Sequence, residues 1–258
     1  MKNAVVIVTG AAHGIGASCA ELLASKGARV VLNYATSAGD AEATAERCRA
    51  QGGDAIAVQA DVSSDADCRS LAKAALDTWG QIDGLINNAG ITAFALHNDL
   101  EALTAADFQR IYGVNVIGAY QMIRAVAPSM QQHGRGSVVN VSSIAGAMGI
   151  GSSVAYAASK GALNTMTLSL ARALAPAIRV NAVCPGFVET EWLKTGLGDN
   201  YERVKANWEA TAPLHSTVLP EDVAEAAVWF LNGAAKVTGE VILLDSGFHL
   251  GGTPLRAR

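Results

Sequence analysis

Seven short apolar runs recur along the chain, each ended by glycine or polar residues, and nearly every gap between them is long enough for a helix. They read NAVVIVT (3–9), ARVVLNY (28–34), DAIAVQA (54–60), IDGLINN (82–88), SVVNVSS (137–143), IRVNAVC (178–184) and GEVILLDSG (239–247). Consecutive apolar positions over so few residues describe strands buried on both faces, the kind found in parallel sheets covered by helices. With no linker and no repeat to divide it, residues 1–258 form one α/β domain. A chain that is 50% hydrophobic and only 16% charged, with 26 glycines, suits such a buried core with many tight turns.

The first run breaks into GAAHGIG, and a helical stretch follows to about Gly27. Strand, glycine loop and helix is the layout of a phosphate-binding turn: glycines let the backbone approach a pyrophosphate, and the free N–H groups of the helix start hold the anion. The spacing Gly10, Gly14, Gly16 departs from the G-x-G-x-x-G fingerprint, and a plain tight connection is the competing reading. The second strand closes a βαβ unit, and an NAD-type site would place an acid at its end. This chain has Asn33, Tyr34, Ala35, Thr36 and Ser37 there, with no acid before Asp40. An acid would repel a 2′-phosphate, whereas Thr36 and Ser37 can donate to one and His13 can approach from the glycine loop. The pattern favours NADP(H) over NAD(H); capping of the next helix is the alternative use for Thr36 and Ser37. Asp61-Val62 and Asn88-Ala89-Gly90 end the third and fourth strands, where ligands bind in open parallel sheets.

Ser143 to Lys160 reads SIAGAMGIGSSVAYAASK, small and flexible at first and then helical. Tyr156 and Lys160 are four residues apart, so a helix stacks the phenol and the ammonium on one face. A cation beside a tyrosine favours the phenolate and lowers its pKa, as a general acid/base requires. Ser143, at the end of a strand, supplies a hydroxyl to the same place. Asn115 sits in the middle of a helical segment spanning about 104–132, among apolar neighbours, where asparagine is a poor choice without a further reason. Between 191 and 219 the regularity fails; Trp192, Leu193, Leu197, Trp208 and Leu214 there suit a substrate loop or short helical pair closing over a pocket, with an interface or plain surface as alternatives. With residues 92–98 this segment should shape the pocket, and Phe94, Leu96 and Trp192 point to partly apolar substrates.

Lys and Arg total 19 against 23 Asp and Glu, a net charge of −4 with no basic cluster, which argues against nucleic acid or an anionic membrane as partner. Cys19, Cys48, Cys68 and Cys184 are scattered without a C-x-x-C, as in a reduced, cytoplasmic protein, and no ligand spacing suggests a metal. The N-terminus enters a strand without a signal-like segment, and no apolar run approaches the roughly 20 residues a bilayer span needs.

Taken together, Thr9-Gly-Ala-Ala-His-Gly-Ile-Gly16, Asn87-Asn-Ala-Gly90, Ser143, Tyr156-Ala-Ala-Ser-Lys160 and Pro185-Gly186 stand in the order of the short-chain dehydrogenase/reductase family, which the chain resembles over nearly its full length. The resemblance implies a doubly wound Rossmann domain with a seven-stranded parallel sheet, a nicotinamide dinucleotide cofactor, and usually a homotetramer. It implies that Tyr156 is the general acid/base, that Lys160 lowers its pKa and holds the nicotinamide ribose, and that Ser143 binds the substrate oxygen. Asn115 would hold a relay water. Gly10, Gly14, Ile15 and Gly16 would line the pyrophosphate, Asp61 and Val62 the adenine, Asn88 and Ala89 the ribose, and Val188 and Thr190 the carboxamide side. VVLNYATS, NNAGIT and CPGFVET are closest to 3-oxoacyl-[acyl-carrier-protein] reductases. Gln131-Gln132-His133 and Pro176-Ala177, however, stand where those enzymes tend to carry basic residues for an acidic carrier. The expected activity is therefore an NADP(H)-preferring reductase of small free ketones or dehydrogenase of secondary alcohols, ahead of the carrier-protein role. A dinucleotide-binding regulator without turnover is the rival of another class, and the intact Asn115, Ser143, Tyr156 and Lys160 set argues against it.

Overall fold

The computed structural model describes residues 1–251. In chain order the elements are β1 (Val5–Val8), α1 (Gly14–Ser25), β2 (Arg29–Tyr34), α2 (Ala38–Ala50), β3 (Asp54–Gln59), α3 (Asp65–Trp79), β4 (Gly84–Asn87) and α4 (Ala105–Tyr112). A π-helical turn (Gly113–Gly118) then leads into α5 (Ala119–Gln132), β5 (Gly136–Val141), α6 (Ala145–Met148), α7 (Val154–Leu174) and β6 (Ile178–Pro185). The chain continues through α8 (Glu191–Leu197), α9 (Tyr201–Thr211), α10 (Pro220–Asn232) and β7 (Val241–Leu244).

Side-chain alternation along the strands sorts the helices onto two faces. Val6 and Val8 join an apolar cluster with Leu23 of α1, Ala45 of α2 and Phe230 of α10. Val5 and Ile7 point the other way, to Leu71 of α3, Met122 of α5 and Ala171 of α7. The seven strands are all parallel, in the order β3-β2-β1-β4-β5-β6-β7. The chain thus starts in the middle, winds outward to β3, and returns past β1 to β4. The crevice at the carboxyl ends of β1 and β4 is the switch point at which open α/β sheets bind ligands. The doubly wound, seven-stranded expectation holds.

Three local expectations change. β4 and β5 end before their apolar runs do, so Asn88 and Ser143 lie just beyond them rather than within them. The single helix expected over 104–132 carries the π-helical turn around Asn115, and such turns gather at functional sites. The irregular 191–219 segment holds α8, a short 3₁₀ turn (Gly198–Asn200) and α9, and its base is closed where Val188 bridges Val218. All four cysteines are free and buried, as packing residues. Among the described residues no helix is long and apolar enough to cross a membrane.

A buried polar chain crosses the sheet centre: Asn87 Nδ2 donates to Asn140 Oδ1 at 3.0 Å, and Asn140 Nδ2 donates to Thr167 Oγ1 at 2.9 Å. Asn140 is fully buried, so truncation strands two partners away from water. Asn140→Ala should lower the unfolding free energy by about 1–3 kcal/mol, read from urea denaturation at unchanged m-value.

Candidate active site

The glycine turn is built by close contact between main chains. Gly10 and Gly14 hold φ of +61° and +58°, which L side chains rarely adopt. A Cβ on Gly16 would come within 2.3 Å of the Gly10 carbonyl oxygen. Asn88 fastens this turn to β4: its Nδ2 donates to the carbonyls of Thr9 (3.0 Å) and Gly10 (2.9 Å). The Thr9 hydroxyl accepts the N–H groups of Asn88 and Ala89, each at 3.0 Å. His13 occupies the N-cap of α1 in extended conformation with no side-chain cap bond, so the first N–H groups of α1 are left for a ligand. Backbone cradle, absent side chains and free N–H groups together fit a dinucleotide pyrophosphate.

The catalytic candidates converge beside this turn. Ser153 caps α7, accepting the Tyr156 N–H at 3.2 Å, and so sets where the tyrosine emerges. Lys160 is buried one turn on, and its Nζ donates to the Val141 carbonyl at 2.9 Å and lies 5.6 Å from the Tyr156 ring centre. Ser142 donates to the Lys160 carbonyl, while Gly146 of α6 meets the same peptide so closely that a Cβ would lie 2.4 Å from it. Asn115 has its amide fully engaged: Oδ1 accepts the Ile91 N–H, and Nδ2 donates to the Ile91 carbonyl and to Ser159 Oγ. A Cβ on Gly90 would lie 3.5 Å from Asn115 Oδ1 and 3.6 Å from Lys160 Nζ, so Gly90 links the two.

A cavity of about 540 Å³ joins both halves. Gly10, His13, Gly14 and Ile15 line one end with Asn88, Ala89 and Gly90; Ser143, Tyr156 and Lys160 line the middle. Pro185, Gly186, Val188 and Thr190 flank it, and Phe94, Trp192, Leu193 and Trp208 form the far wall. Other residues singled out from the sequence lie elsewhere. Gly16 is buried under the turn. Asn33 is buried and structural, accepting the Gly10 N–H at 3.2 Å and donating to the Ala60 carbonyl at 2.8 Å. Tyr34 is half-buried, whereas Ala35 and Thr36 are exposed, and Ser37 stands at the N-cap of α2 without a side-chain cap bond. Asp61 turns its carboxylate onto Ser63, and Val62 packs under Gly118 while its carbonyl accepts Gln121. The sequence reading missed Thr9 and Ser153 as positioning groups; a serine three residues before Tyr156 at a helix start was a usable capping signal.

Residues 10–249 match a family model described as Enoyl-(Acyl carrier protein) reductase. The chain is 45% identical over 95% of its length to 96% of the "Granaticin polyketide synthase putative ketoacyl reductase 2" of Streptomyces violaceoruber. It is 36% identical over 94% of its length to 96% of a 3-oxoacyl-[acyl-carrier-protein] reductase of Synechocystis sp.. The chain belongs to the short-chain dehydrogenase/reductase family. A solved structure titled "putative short-chain dehydrogenase/reductase from Burkholderia xenovorans" superposes with a TM-score of 0.90 at 40% identity, covering 97% of this chain and all of that one. Like its relatives in this oxidoreductase family, the chain is an enzyme that takes a nicotinamide dinucleotide.

Electrostatics in this short-chain dehydrogenase/reductase depart from the expectation on Tyr156. Burial pushes its phenol up to about 12, and the nearby Ser143 hydroxyl draws it only part-way back. Lys160 is itself driven down to about 8 by burial. Desolvation is the largest cause of both shifts, and the ammonium rests on the Val141 carbonyl rather than on the phenol oxygen. Between pH 8 and 10.5 the folded chain has lost the Lys160 proton while the unfolded chain retains it, so stability rises with pH in that window. The full penalty is roughly 3 kcal/mol. The Tm difference between Lys160→Met and the parent should therefore shift in the parent's favour from pH 8 to pH 10; a flat difference would refute a buried ammonium at neutral pH.

Proposed function

We propose that the chain is an NADP(H)-preferring reductase of small ketones, equally able to oxidise the matching secondary alcohols, with Tyr156 as general acid/base. The observation that carries this reading is the convergence of Ser143, Tyr156 and Lys160 in one cavity with the glycine cradle. A nicotinamide dinucleotide held by Gly10, Gly14, Ile15, Asn88 and Lys160 supplies or accepts the hydride. Tyr156 gives its proton to the carbonyl oxygen, and Ser143 donates a hydrogen bond that strengthens as charge grows there. Lys160, charged below about pH 8, biases the phenol toward releasing that proton. Asn115 stands across Gly90 from Lys160 and is assigned the relay water, its Oδ1 keeping one lone pair beyond the bond from the Ile91 N–H.

NADP(H) is favoured because the stretch after β2 presents an exposed Thr36 and a half-buried Ser37 and no acid. The Ser37 hydroxyl makes no cap bond and is free to donate to a 2′-phosphate. Reduction of a carrier-bound 3-oxoacyl group is the second reading, supported by the printed names of the Streptomyces and Synechocystis relatives. The acidic balance of the chain weighs against an acidic carrier as partner. The homotetramer of the family resemblance belongs to the same proposal and is read by light scattering.

Paired titration with NADPH and NADH should show tighter NADPH binding, and Thr36→Asp should erase the difference by placing a carboxylate against the phosphate. Tighter NADH binding by the parent would overturn the cofactor assignment. Tyr156→Phe should abolish turnover while coenzyme binding persists, whereas Ser143→Ala should cut kcat by about 10²–10³. Loss of coenzyme binding in Tyr156→Phe would show that the two roles are not separable.

A further inference from the structure

The cavity beside Tyr156 has aromatic rings on both its solvent side and its core side. On the solvent side the Phe94 and Trp192 ring centres lie 5.7 Å apart, and Trp192 lies 6.3 Å from the Tyr156 ring. Both are exposed at about two-fifths of their surface, Phe94 at 41% and Trp192 at 42%. On the core side Phe187 and Trp208 are buried, and Phe248 stacks on Trp208 at 3.9 Å with planes 9° apart. The core rings are locked: Trp208 presses on Gly186, where a Cβ would come within 2.5 Å, and Phe187 packs against both Tyr201 and Trp208.

The solvent-side rings have one anchor on α8. Gly196 is the penultimate residue of that short helix and has no positive φ, so its backbone does not call for glycine. The space does. A Cβ there would sit 1.9 Å from Cζ of Phe94, because the ring fills the place of the missing side chain. A side chain at 196 would have to push that ring out of its notch. The segment bearing Phe94 is tied down separately, through the Ala95 N–H to the Ser152 carbonyl at 2.9 Å and Thr92 to Ser152 at 2.7 Å. Phe94 in its notch therefore sets how far α8 and Trp192 stand from Tyr156.

We infer that Phe94, seated on Gly196, is a specificity-determining residue, and that the cavity takes flat aryl ketones in preference to linear acyl chains. This rests on the ketone-reductase reading above. The partly exposed Phe94 and Trp192 rings can pair with a ligand ring, which rings favour at separations of about 4.5–7 Å. A rigid planar ligand also loses less rotamer freedom on binding than an alkyl chain. Among the described lining residues the only Lys, Arg or His side chains are Lys160, held on the Val141 carbonyl, and His13 at the glycine turn. A phosphate, sulfonate or carboxylate tail on the substrate thus meets rings rather than cations.

The test uses 2-acetylnaphthalene and 2-dodecanone, ketones of equal carbon count and opposite shape. Their dissociation constants are measured calorimetrically on the full chain saturated with oxidised coenzyme, so that binding is read without turnover. The parent should prefer the naphthyl ketone, and Phe94→Ala and Gly196→Ala should each lower that preference by about tenfold. The double variant should match Phe94→Ala alone, because a methyl at 196 then has no ring to displace. A parent preference for 2-dodecanone, an unchanged ratio in Phe94→Ala, or effects that multiply in the double variant would overturn the inference. Should the binding pattern hold while neither ketone is reduced with NADPH or NADH, the notch stands and the reductase reading falls.

Discussion

The close approach of the glycine turn to the ends of β1 and β4 is the constraint on which the site depends. Gly16 has room for no side chain over the Gly10 carbonyl, and three side chains hold that geometry from different directions. Asn33 binds the Gly10 N–H from β2, Asn88 binds two carbonyls from β4, and Thr9 accepts two N–H groups in return. Each of these polar groups would be costly to bury alone, and each is satisfied only in this one arrangement. The same knot positions Gly90, where a Cβ would lie against both Asn115 Oδ1 and Lys160 Nζ. Coenzyme cradle and proton-handling residues are thus one rigid unit, as a hydride and a proton delivered to the same carbonyl require.

Placing Tyr156 and Lys160 in that unit is unfavourable for both ionised forms. Burial raises one and lowers the other, so neither holds its charge as easily as in water. The arrangement persists because α7 is over-determined around it: Ser153 caps its start, Ser142 and Gly146 engage the Lys160 peptide, and Ser159 bonds Asn115. Local strain of this kind is carried by surrounding packing, and it leaves the phenol sensitive to any positive charge brought into the cavity.

The fold was readable because its signal is local and repeated. Buried parallel strands leave continuous apolar runs, and their order with glycine turns and helices leaves few topologies open. Tyr156 and Lys160 were readable from one helical spacing. The rest was not, for three distinct reasons. The run from Asn33 to Ser37 reads as one 2′-phosphate site, and its pattern does not show that the Asn33 amide binds the Gly10 N–H and the Ala60 carbonyl. The Tyr156 phenol is raised chiefly by burial, and a four-residue spacing to Lys160 reveals the neighbouring cation but not the depth of burial. The Phe94–Gly196 contact joins segments that no periodicity relates, and a lone glycine in α8 reads only as a poor helix former.

This division bears on what family names can carry. The residues proposed to bind the coenzyme and move the proton lie at strand ends and helix starts, in the part of the chain matched by the family model. The far wall of the cavity comes instead from the stretch around Phe94 and from α8 and α9, where the sequence pattern is least regular. Loops and short helices tolerate change without disturbing the sheet, so they are where substrate choice can diverge while the reaction stays the same. An acyl chain on a carrier and a flat aryl ketone present the same carbonyl to Ser143 and Tyr156. They differ only in what lies beyond it, and here that is a pair of ring walls, one locked on Gly186 and the other set by a single ring resting on Gly196.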